Sequence, residues 1–218
     1  MNGGAPSPAD RAWTDEALRL NARYIEEVVI GWGLCPWAAQ AWRTGAVRRR
    51  VLLDPAPDPA PVLEVIAQLD EPRAPDAPRG RDPAPQAAIG LVIWPRLALD
   101  AAAFASAAEQ IRRADRARRP PGAAPPFLIA AFHPDLRPEP PADAASLVPF
   151  IRRTPDPTLQ LVRTSLLDAL AGGGRDVSAE IAAANFVTVA ARTPAALDQT
   201  LADIRRDRDD SYRRLRGL

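Results

Sequence analysis

A single cysteine and a single histidine give this chain of 218 residues its only thiol and its only side chain that titrates near neutrality. A thiol beside an imidazole can be held as thiolate, the form that attacks carbonyls or binds soft metals. Cys35 sits in GLCPWA, where Pro36 forces a bend or opens a short helix, and His133 ends the apolar run FLIAAF. Asp135, two residues further on, can orient or charge the ring. Cys35, His133 and Asp135 are therefore the catalytic candidates. Two plainer roles stay open, since free cysteine is among the most buried residue types and a histidine leaving a strand can simply bond a loop carbonyl. The same three residues would offer a metal one sulfur, one nitrogen and one oxygen with positions left for substrate. The sequence specifies neither a metal nor a cofactor.

The second chemistry-bearing cluster is RRTPDPT at 152 to 158. Asp156 and Thr158 are available to cap a following helix, and guanidinium groups beside a helix N-terminus form an anion site for carboxylate or phosphate. Arg153, Arg152, Thr158 and Trp37 are the substrate-binding candidates. The alternative for the arginines is an ion pair with Asp135 or Asp156 that staples the loop. Trp32, Trp37 and Trp94 can wall such a pocket or pack in the core.

These residues need elements to hold them. Thr14 reads as the N-cap of a first helix, with Leu18, Ile25, Val28, Val29 and Trp32 at helical spacing until Gly31 and Gly33 break it. A short helix from Trp37 to Arg43 follows. Strands are predicted at Val47 to Leu53, Ala88 to Trp94 and Phe127 to Phe132, with helices at Pro61 to Leu69 and Leu99 to Arg113 between them. That alternation predicts an α/β fold. It has a small three-stranded parallel sheet (βαβαβ), an N-terminal helix packed on it and a helical C-terminal extension. Ligands of open parallel sheets lie beyond the carboxyl ends of the strands, where His133 would stand. Thr158 to Leu170 reads as an amphipathic helix capped by GGG at 172 to 174, and two more helices are expected at Ser178 to Val189 and Pro194 to Tyr212. The charged run at the end of the last one reads as a solvated face. The organisation expected is a disordered 1–13, a single domain over 14–171 with a Pro-rich surface insertion at about 70–86, and a helical extension over 172–218 packed on the domain.

Composition narrows the chemistry. There is no lysine, which excludes a phosphate-loop lysine and a Schiff-base lysine. One histidine and one cysteine exclude an intrachain disulfide, zinc fingers and HExxH sites. A net charge of +1 argues against a nucleic-acid surface. MNGGAPSPADRA lacks the apolar stretch of a signal peptide, and no run is long enough to span a membrane, so a cytoplasmic protein without nucleic-acid or membrane partners is expected.

GLCPWA at 33 to 38, AFHPD at 131 to 135 and RRTPDPTLQLVR at 152 to 163, in this order around three strands, resemble the bacterial domain of unknown function 1415 family. Its members look like GLCPFA, SFHPDY and NRSPYPTLHLLR at the matching places. The resemblance covers roughly 18 to 170 and carries no known reaction. It implies a stand-alone soluble protein in which Cys35, His133, Asp135, Arg153, Pro155 and Thr158 fall on motif positions. Arg152 stands where the family usually shows asparagine, Thr154 where it shows serine and Leu136 where it shows an aromatic.

Two functions fit these residues. One is an enzyme acting on a small anionic metabolite at the carboxyl edge of the sheet, using Cys35 and His133. The other is a non-catalytic binding or accessory protein that holds an anionic ligand or partner through Arg152 and Arg153. Substrate, reaction and oligomeric state are not written in the sequence.

Overall fold

A computed structural model describes residues 6–70, 88–136, 139–170 and 177–217. The expected Pro-rich insertion and the GGG cap lie outside the described residues, except Asp70. Helix α1, Pro8–Tyr24, starts earlier than Thr14: the Ser7 hydroxyl accepts from the Asp10 amide at 3.0 Å and Pro8 takes the first helical position. Residues 8–13 thus belong to α1 and not to a disordered N-terminus. Its apolar face carries Trp13, Ala17, Leu20 and Tyr24, with Asn21 buried among them. The helix continues as a π-turn, Ile25–Ile30, in which the Gly31 amide bonds back to Glu26 and the Leu34 amide to Val29, each at 2.9 Å. The extra residue per turn shifts the helical phase, a device frequent at functional sites. Gly33, at φ +64°, then reverses the chain toward Cys35 and the short helix α2, Ala38–Arg43.

The sheet corrects the three-stranded parallel prediction. Strands β1 (Val47–Val51), β2 (Ile89–Ile93), β3 (Phe127–Phe132) and β4 (Thr158–Arg163) form a mixed sheet in the order β1-β2-β4-β3. β1 and β2 are parallel, and β4 runs antiparallel between β2 and β3. The expected helix over 158 to 170 is therefore β4 followed by α6, Thr164–Leu170. Its alternation decides the matter: Leu159 and Leu161 point to one face, Thr158, Gln160 and Val162 to the other.

Two helical layers sandwich the sheet. α3 (Pro59–Asp70) and α4 (Ala101–Ala117) cover one face, packing Ile66, Phe104 and Ile111 against Val92, Phe127, Leu159 and Leu161. Gly90 lets α3 approach, since a Cβ there would meet Leu69 Cδ1 at 2.5 Å. The other face, with Ile89, Leu91 and Ile93, is covered by α1, the π-turn, α5 (Ala144–Ile151), α7 (Val177–Arg192) and α8 (Pro194–Arg216). Sequence periodicity missed α5, which holds Pro149 inside it; an Asp143/Ser146 capping box starts it. α8 lies along α1, where Arg19 and Arg23 each reach Asp207 at 2.9 Å. Among the described residues no helix is long and apolar enough to cross a membrane.

Candidate functional site

The face of the sheet under α1, α5 and α7 is not fully filled. A cavity of about 430 Å³ opens between the π-turn, β3, β4, α5 and α7, its walls largely apolar. Its polar lining comes from Tyr24, Cys35, Trp37, Arg152, Gln160 and Asn185. A smaller recess of about 50 Å³ lies toward α1 and shares Tyr24, Val29, Cys35, Ile89, Phe132 and Gln160 with it, adding Asn21, Thr154 and Thr158. The two lie side by side, with those six residues between them.

Arg152 follows the last residue of α5, and its guanidinium lies over the Phe132 ring, 5.4 Å from the centroid. It has no carboxylate or hydrogen-bond partner among the described residues. Burial pulls its pKa down. A half-buried guanidinium without a counter-ion, on the wall of an apolar cavity, is an electrostatic demand for an anion. Arg153 is different. It donates to the Phe150 carbonyl at 2.9 Å and pairs with Asp198 of α8, so it staples α5 to the C-terminal helix. The predicted anion site at a helix N-terminus is not formed, because the element that follows Arg152 and Arg153 is β4 and its edge carries no helix dipole.

Cys35 borders both the cavity and the recess. Burial pushes its thiol above its ordinary pKa, with the Trp37 and Ala38 amides acting in the opposite sense. His133 is elsewhere. Its ring is 3% exposed and packs 5.8 Å from Phe104, in the layer beneath α4 on the opposite side of the sheet. Its Nε2 donates to the Leu99 carbonyl at 3.0 Å, and its Nδ1 accepts the Asp135 amide at 3.1 Å. Both nitrogens are thus spent on backbone, and burial lowers the imidazole pKa, keeping it neutral. The structure does not bring Cys35 and His133 together. Asp135 meets His133 through its amide, and its carboxylate pairs with Arg205. Among the described residues no three of His, Cys, Asp and Glu gather to hold a metal, so the Cys35, His133 and Asp135 set is not assembled as ligands.

Thr158 opens β4 and, with Thr154, faces the recess; both hydroxyls donate to the Asp156 carbonyl, at 2.8 and 2.7 Å. The Asp156 carboxylate turns away from the cavity, buried to 1% exposure, and accepts from Tyr212 at 2.7 Å and Arg208 at 3.1 Å. Burial raises its pKa against the pull of Arg208. Trp37 lines the cavity; Trp94 packs on Phe104 in the other layer, and Trp32 lies 3.9 Å under Arg192.

Residue-type reasoning missed Asn21, Tyr24, Gln160 and Asn185. Asn21 left a trace, a carboxamide on the apolar stripe of α1 one turn from Ala17 and Ile25. The Tyr24 hydroxyl donates to the Ile151 carbonyl at 2.7 Å, and Asn185 Nδ2 to the Leu34 carbonyl at 2.9 Å, so both tie the cavity wall together.

A family model described as "Protein of unknown function (DUF1415)" matches residues 17–199. No curated protein matches the chain, and no solved structure does.

Proposed function

Because this chain belongs to the DUF1415 family, a family of proteins of unknown function, its cavity must carry the assignment, and we propose that it binds a small amphipathic carboxylate there. One observation carries the reading: Arg152 is half-buried and has no counter-ion among the described residues, on the wall of an apolar cavity that holds no carboxylate among its described lining residues. Cavities of roughly 300–1,000 Å³ with few polar groups are what small ligands occupy, and a volume of about 430 Å³ falls in that range. A single guanidinium suits a single negative charge, and its fork matches the two oxygens of a carboxylate. The aliphatic walls take the apolar body of the ligand.

Binding is favoured over turnover at Cys35. The thiol is held protonated, and the described lining residues include no histidine or carboxylate to take its proton. The catalytic trio of Cys35, His133 and Asp135 is therefore the weaker reading, and Arg152 and Trp37 are the ligand contacts proposed. Calorimetric titration with octanoate, octanol and octylamine tests this. The reading expects octanoate alone to bind in the micromolar to millimolar range and to bind about ten- to a hundredfold more weakly to Arg152→Gln, the cost of a charge-assisted hydrogen bond. Equal binding of octanoate and octanol, or no effect of the substitution, would sink it.

A further inference from the structure

The wall that carries Arg152 holds a second polar group that the fold leaves unused. Gln160 stands in the middle of β4, on the face opposite to Leu159 and Leu161, and borders the cavity. Its carboxamide makes no hydrogen bond among the described residues. Nor is it walled in: among the described residues, the unpartnered side-chain atoms closed off by packing are Asn21 Oδ1 and Arg153 Nη2. The other carboxamide on the cavity wall, Asn185, is committed to the Leu34 carbonyl. An open carboxamide in an apolar cavity holds water until a ligand with matching groups displaces it.

Strand register places Gln160 relative to Arg152. Phe132, beneath the Arg152 guanidinium, is opposite Thr158, and Ala130 is opposite Gln160, one row further along the same face. Leu128 and Val162 form the row after that, also on the cavity wall. Rows on one face are about 7 Å apart, a gap that two long side chains can close around one small head group. The cavity wall thus runs from cation to carboxamide to aliphatic surface.

Resting on the carboxylate reading above, we infer that Gln160 recognises an amide N–H one carbon away from the carboxylate, so that the ligand is an N-acyl amino acid. A carboxamide presents an acceptor, Oε1, and a donor, Nε2, side by side. In an extended acyl amino acid the amide N–H and one carboxylate oxygen lie on the same edge with Cα between them, in the complementary order. Oε1 accepts the N–H, Nε2 donates to that oxygen, Arg152 holds the carboxylate, and the acyl tail covers Leu128, Val162 and Leu167. A simple fatty acid leaves Oε1 without a donor beneath an aliphatic chain. A free amino acid brings an ammonium that no carboxylate on the described wall answers.

The test is calorimetric titration of the wild type and Gln160→Leu with four acids: N-octanoylglycine, its ester analogue octanoyloxyacetate, undecanoate of equal chain length, and N-octanoyl-β-alanine, whose carboxylate is one carbon further out. The wild type is expected to bind N-octanoylglycine about fivefold or more tighter than the ester or the β-alanine compound. Its affinity relative to undecanoate is expected to fall about tenfold in Gln160→Leu. The amide-to-ester comparison needs no variant and stands where Gln160→Leu does not fold. If all four bind the wild type alike and lose affinity in Arg152→Gln, the amide assignment is wrong and the carboxylate cavity stands. Tightest binding of the β-alanine compound, or an amide preference that survives in Gln160→Leu, also overturns the assignment. If no acid binds, both readings fall.

Discussion

Arg152 lies over the ring of Phe132, its guanidinium carbon 5.4 Å from the centroid, with no acidic partner among the described residues. The ring attracts the cation without neutralising it, a contact that holds the group in place and leaves its fork free. Replacing Arg152 by Gln is accordingly expected to change thermal stability by less than about 0.5 kcal/mol, since no buried pair is broken. Differential scanning calorimetry of the variant checks this; a loss of several degrees would mean that the guanidinium has a structural partner.

Asn21 makes the opposite trade. Its orphaned oxygen is a cost to the folded state, so Asn21→Leu, similar in volume and apolar, is expected to raise stability by about 1 kcal/mol in urea unfolding. A destabilised variant would show that the amide is satisfied in solution.

His133 holds the Leu99 loop to the end of β3, with both ring nitrogens on backbone. Its folded-state pKa is depressed by burial, so the unfolded chain binds the proton more readily. The stability this supplies is complete above the ordinary value of about 6.5 and is lost as pH falls through the folded value. The gap in unfolding free energy between wild type and His133→Asn should therefore shrink from pH 7.5 to pH 5. A gap that widened in acid would mean a charged histidine in the folded state. The substitution itself is expected to cost about 2–3 kcal/mol through two orphaned backbone groups.

Asp156 ties the loop before β4 to α8 through Arg208 and Tyr212. Removing it leaves the buried Tyr212 phenol without its acceptor and the half-buried Arg208 guanidinium with only Asp209, at 3.1 Å. Asp156→Ala is expected to cost about 3–5 kcal/mol, and Tyr212→Phe about 1–1.5 kcal/mol. Denaturant melts that rank these two the other way would contradict the anchoring role.

The parts of the fold written in local periodicity were legible: β1, β2, β3, α3, α4, α7 and α8 each follow an unbroken pattern. β4 was not. Leu159, Leu161, Val162, Leu166, Leu167 and Leu170 satisfy helical spacing as well as alternation, and nothing local says that TLQLVR will insert between two strands far away in the chain. That insertion decides the site. It turns the RRTPDPT segment from a helix N-terminus into a strand entry, sets Thr158 on the recess and Gln160 on both recess and cavity, and leaves Arg152 rather than Arg153 unpaired. The expected return of Cys35 to the sheet edge suggested a dyad, but the loop before α2 sets Cys35 on the cavity side while His133 packs against Phe104 and Leu99 on the other, a choice of face that sequence order does not reveal.

The most direct measurement follows the alkylation of Cys35, the chain's one thiol, by intact mass. The cavity reading expects slow modification near neutrality that speeds up with pH beyond the free-thiol range, unchanged by His133→Asn wherever that variant folds. Saturating octanoate should slow it several-fold in the wild type and not in Arg152→Gln. Protection that survives loss of Arg152, or no protection at all, would place the anion somewhere else and contradict the account.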